Sequence, residues 1–169
     1  AGIFFPEFIE APNWRKSGIG ILNHEIKKQI YDDGGQYELD LGYHGGCISI
    51  FSRALNMARQ NGYDNEFPES FVNTIKKMMI FAMNTYFPAY TFPCFSDARR
   101  ADPCSLVQNF QHWSRLFPED EQLRYFATQG KEGKEPLQLC HASKNSGFFT
   151  FRNSWKQDAT VMILKAGPK

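Results

Sequence analysis

The chain has 169 residues, is 42% apolar and 22% charged, and carries a net charge of +1. That length fits about one domain of the usual ~100–200 residues and can bury a real core, and the apolar content excludes wholesale disorder. The charge excludes a strongly basic nucleic-acid protein by composition, a local patch aside, and no run reaches the ~18 apolar residues of a membrane helix.

The first predicted element is a helix over 13–31. Asn13 is placed to cap it, and Trp14, Ile19, Leu22, Ile26 and Ile30 recur at helical spacing. Gly18 and Gly20 weaken it, each by about 1 kcal/mol against Ala. Asp32-Asp33-Gly34-Gly35 ends it as a turn. A second helix is predicted over 45–60, with Ile48, Phe51, Leu55 and Ala58 on one face and Asn61-Gly62 as its stop. The third and strongest spans 68–86: Pro68 suits its first turn, and Phe71, Ile75, Met78, Ala82 and Tyr86 form its stripe. Residues 87–102 form a long loop holding Pro88, Pro93 and Ser96-Asp97-Ala98-Arg99-Arg100; loops of that length are often functional. Helices follow over 103–117 and 119–127, then a polar linker over 130–136. Beyond it the period changes to two, over Phe148 to Asn153, and a β-branched run follows over 160–164, so two strands are expected. Helices followed by strands imply a helical domain that gives way to a β domain near 130–147.

The ends and the cysteines add expectations. The chain starts Ala1-Gly2-Ile3-Phe4-Phe5 and stops at Ala166-Gly167-Pro168-Lys169, without an initiator Met, a basic n-region or an A-x-A site. Both ends read as cuts in something longer. Cys47, Cys94, Cys104 and Cys140 show no CxxC and no nearby paired His, which argues against zinc. Free buried thiols are the expected state, with a Cys94–Cys104 bridge as the alternative. The 16 Phe residues call for either a large core or a stacking surface for a flat ligand.

The chemistry concentrates between Asp32 and His44, where acids, aromatics and amides stand among glycines that permit close ligand approach. Glu38 and Asp40 have the same parity, so an extended segment places both on one face as an acid/base pair for glycoside hydrolysis. Tyr43-His44 offers a proton-transfer pair. His24, His112 and His141 read as surface or core histidines. Of the basic doublets, Arg15-Lys16, Lys27-Lys28 and Lys76-Lys77 read as solvated helix faces. Arg99-Arg100, in the long loop, suits a carboxylate or sulfate.

Asp33-Gly34-Gly35-Gln36-Tyr37-Glu38-Leu39-Asp40 followed by Tyr43-His44 resembles the tyrosine-bearing motif of the heparinase II/III superfamily of polysaccharide lyases, nearest to the heparan-sulfate lyases of polysaccharide lyase family 12. Further matching segments run in order through nearly the whole chain: Ala1 to Phe8, Trp14 to Ile19, Asn65 to Pro68, Pro93 to Ala98, Gly147 to Trp155 and Lys165 to Lys169. The resemblance implies an incomplete (α/α) toroid of helical hairpins, followed by an antiparallel β-sandwich domain, with the site in the cleft between them. On that basis residues 1–135 are the C-terminal part of the toroid, and 136–169 the linker and first sandwich strands. It implies β-elimination at a uronic acid of a sulfated glycosaminoglycan, heparan sulfate or heparin, in a periplasmic or secreted enzyme. The family's catalytic tyrosine falls on Tyr43; its carboxylate-neutralising asparagine and catalytic histidine fall outside this chain, so the isolated segment is expected to lack turnover.

Four residues are secondary site candidates: His44 by adjacency to Tyr43, Arg152 as a charge in the first predicted strand near the junction, and Arg99 and Arg100 for sulfate contact. No cofactor or metal is required, and neither nucleic acid nor membrane is expected as a partner. Two rival readings stand beside the lyase: a glycoside hydrolase on an (α/α) toroid using Glu38 and Asp40, and a non-catalytic glycan- or protein-binding helical module.

Overall fold

The computed structural model describes residues 2–168; Ala1 and Lys169, which end two of the segments quoted above, lie outside the described residues. Five helices precede a small sheet: α1 (Ala11–Gln29), α2 (Leu41–Gln60), α3 (Glu69–Thr85), α4 (Pro103–Ser114) and α5 (Glu121–Ala127), with a 3₁₀ turn at Asp64–Glu66. The sheet is an antiparallel meander of β1 (Cys140–Ser143), β2 (Phe148–Arg152) and β3 (Val161–Lys165), in the order β1-β2-β3. Its register pairs Thr150 with His141 on one side and with Ile163 on the other.

Three aspartates set helix starts. Asp40 accepts from the N–H groups of Gly42 and Tyr43, Asp102 from that of Ser105, and Asp120 from those of Gln122 and Leu123. Each satisfies first-turn donors that have no partner inside the helix, worth about 1 kcal/mol apiece. The Asp40 cap starts α2 four residues before the predicted position, drawing Gly42 into the helix despite its poor propensity. Asn13 does not cap α1. That helix begins at Ala11 with Pro12 in its first turn, and the Asn13 side chain donates to Glu10 instead. α4 ends at Ser114, short of the predicted 117, because Leu116 and Phe117 donate to carbonyls three residues back and tighten the chain.

α3 forms the axis of the core. Ile75, Met78, Ala82 and Tyr86, the last just past its end, are fully buried. Aromatic edges knit the rest onto it: Phe51 meets Phe71, Tyr86 meets Phe110, and Phe110 meets Phe126. Most of the phenylalanines therefore serve the core. Trp14 leaves the predicted stripe and stacks on Phe8 at the surface, with ring centroids 5.7 Å apart.

The sheet packs one face on the helices. Phe148, Thr150 and Arg152 point inward, and Phe148 meets Phe81 of α3 edge to face at 5.4 Å. The outward face carries Phe151, Met162 and Leu164, all exposed. β1 escapes the two-strand expectation because Cys140-His141-Ala142-Ser143 has little β-branched or aromatic content. The loop between α3 and α4 is anchored by a bridge between Phe87 and Thr91 and by buried Tyr90 and Phe92. The thiols are free, but the expected burial fails: Cys94, Cys104 and Cys140 are exposed and only Cys47 is half-buried. Cys94 and Cys104 are not bridged. Among the described residues no helix is long and apolar enough to cross a membrane.

Candidate active site

The turn after α1 is built by its glycines, for a different reason from the one expected. Gly34 has φ +93°, and a Cβ there would stand 2.4 Å from the Lys77 carbonyl oxygen of α3. A Cβ on Gly35 would stand 2.6 Å from Cβ of Ser146. The close approach is thus to the protein's own backbone and hairpin, and no ligand is needed to explain it. Asp33 completes the joint. Its Oδ2 accepts from the Ser146 N–H at 2.8 Å and the Ser146 hydroxyl at 3.1 Å, tying this turn to the β1–β2 connection.

Beyond the turn, Leu39 has φ +57°, so the segment is not extended. Parity therefore does not put Glu38 and Asp40 on one face, and their surroundings count against the acid-pair reading. Glu38 is exposed and bonds to the Gln36 amide, whereas Asp40 is 2% exposed and spends Oδ1 on capping α2. Its second oxygen, Oδ2, is buried without a partner, facing no space that a sugar and a water could share.

Tyr43 lies in the first turn of α2. Its backbone N–H is held by Asp40 at 2.9 Å, and its side chain is 51% exposed. Gly46, three residues on, has nothing within 4 Å of where a Cβ would stand. Tyr86 and Tyr90 are the contrast: both are buried, and their hydroxyls donate to the carbonyl oxygens of Leu41 and Phe126.

His44 points the other way. It is 1% exposed, lies edge-on to Phe81 at 4.9 Å, and donates from Nε2 to the Met78 carbonyl oxygen at 3.0 Å. A carbonyl only accepts, so this bond fixes the proton on Nε2 and leaves Nδ1 buried without a partner. Burial pushes its pKa down to about 4, against smaller upward pulls from the Met78 bond and Asp33. The ring is a neutral packing group behind Tyr43.

The arginines also divide. Arg99 and Arg100 are exposed, and neither enters an ion pair among the described residues. The residues that follow them, Ala101 and Asp102, line a cleft of about 290 Å³ whose other wall is Gly42, Gly45, Gly46 and Ser49 of α2. The arginine loop therefore runs beside the helix that carries Tyr43. Arg152 occupies the interior instead of that surface, at 6% exposure. Its Nη2 donates to the Asn84 carbonyl in the last turn of α3 at 2.6 Å, and its guanidinium lies 3.8 Å over the Trp155 ring. A cation suits a helix C-terminus, where carbonyls lack partners, and burial brings its pKa down to about 10. Among the described residues no cluster of three His, Cys, Asp or Glu side chains is placed to hold a metal ion.

The Asp33 clamp and the Arg152 anchor were not legible beforehand, since their partners lie far away in sequence. The Asp40 cap had a local signal, an acid directly before a run that can be helical.

The family model described as "Heparinase II/III N-terminus" matches residues 1–125. The chain belongs to this family. Relatives of this heparinase II/III chain include a heparin-sulfate lyase of Bacteroides stercoris, 53% identical over 169 residues, and one of Pedobacter heparinus, 45% identical over 168. The match takes in all of this chain but 25% of the first protein, and 99% of this chain but 26% of the second. The chain thus spans about a quarter of the length of these relatives. Two solved structures superpose closely. A heparinase III gives a TM-score of 0.93 at 54% identity, over 100% of this chain and 26% of its own. The heparan sulfate lyase of Pedobacter heparinus gives 0.92 at 45%, over 99% and 26%.

Proposed function

We propose that this chain is a segment of a polysaccharide lyase that cleaves heparan sulfate by β-elimination, with Tyr43 as the general base, the general acid, or both in turn. The carrying observation is the side chain of Tyr43: half exposed, at the start of a capped and rigid helix, in a family whose named relatives are heparin-sulfate lyases. A base that takes the C5 proton of a uronate, and an acid that protonates the leaving O4, must both reach the sugar, and a core tyrosine cannot. Charge that develops on the uronate carboxylate is stabilised by hydrogen-bond donors; those donors and a catalytic histidine come from elsewhere in the longer protein. Arg99 and Arg100 hold sulfate from the rim of the cleft beside α2. His44 and Arg152 act from behind, His44 by fixing the first turn of α2 against α3 and Arg152 by fixing the sheet. The enzyme is periplasmic or secreted.

In this reading residues 1–135 close an (α/α) toroid, and 136–169 begin a β-sandwich. The outward face of the sheet supports the second part: Phe151, Met162 and Leu164 are the side chains a second sheet covers.

The test follows the ultraviolet absorbance of unsaturated uronate released from heparan sulfate by the full-length protein, beside a Tyr43→Phe variant whose folding is checked by circular dichroism. The expected result is absorbance growth, reduced at least ~10²-fold in the folded variant. Chains shortened without absorbance point to hydrolysis, and no cleavage of any uronate polymer leaves a binding module; either result overturns the proposal.

A further inference from the structure

A second cleft, of about 460 Å³, lies where the loop after α3, the segment after α5 and the β2–β3 connection meet. It adjoins a recess of about 370 Å³ through shared Tyr90, Gln129 and Gln157. That recess is lined by Pro103, Val107 and Gln111 of α4, whereas the cleft near Tyr43 is lined by Ser105, Leu106 and Asn109. The recess and the cleft near Tyr43 thus flank opposite faces of α4.

We propose that this second cleft is a sulfated-saccharide site, holding a sugar of the polymer remote from the reacting linkage. Its saccharide class rests on the function proposed above; its location rests on the cleft alone. Of its aromatic lining residues, Tyr90, Phe126 and Trp155 are buried and form the floor, and half-buried Tyr125 is the ring that an apolar C–H face of a sugar can meet. The Gln129 and Gln157 carboxamides line the same space and each offers a donor and an acceptor for hydroxyls. Lys131 and Lys156 also line it. Both are exposed, and neither is paired with a carboxylate among the described residues. The nearby Glu135 carboxylate is engaged by the Tyr125 hydroxyl at 2.6 Å.

The backbone that frames the cleft is set by local turn chemistry. Gln129, at φ +57°, is the left-handed residue that closes α5, with its N–H donating to the Phe126 carbonyl and that of Gly130 to the Tyr125 carbonyl; Tyr90 takes the same φ in the turn bridged by Phe87 and Thr91. The Tyr90 hydroxyl donates to the Phe126 carbonyl and joins that turn to α5. Gly130, at φ +79°, lets the chain pass the Tyr125 ring, which a Cβ would meet at 3.3 Å. The continuation into the second recess makes an elongated groove, the shape an extended chain requires.

Glucosamine N,6-disulfate is the probe, because it has no uronate and so offers nothing to eliminate. Its binding to the full-length protein is measured by calorimetry. The expected result is an affinity weakened about tenfold in Lys131→Gln/Lys156→Gln, two exposed charges lost together. It is retained in Lys131→Arg/Lys156→Arg and unchanged in Tyr43→Phe. No binding to the unaltered protein, equal binding by the glutamine pair, or loss in Tyr43→Phe each overturns the proposal, the last by putting the probe in the other cleft. Activity of Tyr43→Phe on heparan sulfate bears only on the lyase reading, so the two can fail separately.

Discussion

Mild acid should destabilise this fold through one buried ring. His44 titrates near 6.5 when unfolded and near 4 when folded, so between those values the unfolded chain holds a proton that the folded chain refuses. The contribution is complete above pH 6.5, falls as pH drops toward 4, and is level below that, where both states are protonated. At 1.36 kcal/mol per pKa unit the whole displacement is worth about 3 kcal/mol, a large part of a typical domain's stability. Urea unfolding at pH 7.5 and 4.5 measures it. The native chain should lose roughly 2–3 kcal/mol more over that interval than His44→Gln, whose side-chain amide can still donate to Met78. His141 is also held down, chiefly by burial, so His141→Gln serves as the control for a second, half-buried contributor. An identical pH dependence in native and His44→Gln chains would refute the assignment of this loss to His44.

Other outcomes follow from the glycines, the cap and the thiols. Gly34→Ala should cost roughly 2–4 kcal/mol in urea unfolding, because its Cβ meets Lys77 at a φ that L-residues avoid. Gly18→Ala, with nothing within 4 Å in mid-helix, should gain about 0.5–1 kcal/mol. Asp40→Ala should cost about 1 kcal/mol, and Asp40→Asn much less, since Asn caps as well. Asp40→Asn should also keep lyase turnover in the full-length protein, where a general base would lose it. A thiol reagent followed by mass spectrometry should modify Cys94, Cys104 and Cys140 quickly and Cys47 slowly, as burial and Glu38 both raise the Cys47 thiol; fewer than three fast thiols would contradict the exposed, unbridged state.

The parts of the fold that were legible are those written in local periodicity. The α3 stripe from Phe71 to Tyr86 is buried as its spacing demands, and β2 and β3 fall where alternation and β-branching put them. α2 starts at Leu41 rather than at 45 because the Asp40 side chain, acting on N–H groups two and three residues away, overrides the poor helix propensity of Gly42. The acid pair failed for a similar reason. Parity assumes an extended backbone, and Leu39 at φ +57° breaks it. Burial of His44 and Arg152 could not be read from their neighbours in sequence, because it depends on Met78 and Asn84, 34 and 68 residues away. The proposed role of Tyr43 rests on the resemblance; the residues alone offer Tyr43-His44 only as a candidate proton-transfer pair.

The bond between Asp33 and Ser146 joins positions 113 residues apart, and that distance gives the molecule a history. Closing so long a loop costs about 4 kcal/mol of chain entropy by the logarithmic law, and the contact cannot begin to form until Ser146 has been synthesised. A growing chain can wind α1, α2 and α3 and bury most of their shared face while the turn before Tyr43 still lacks one of its fastenings. That turn leaves the ribosome ahead of α2 and α3, yet it is secured only after the β1–β2 connection has followed them.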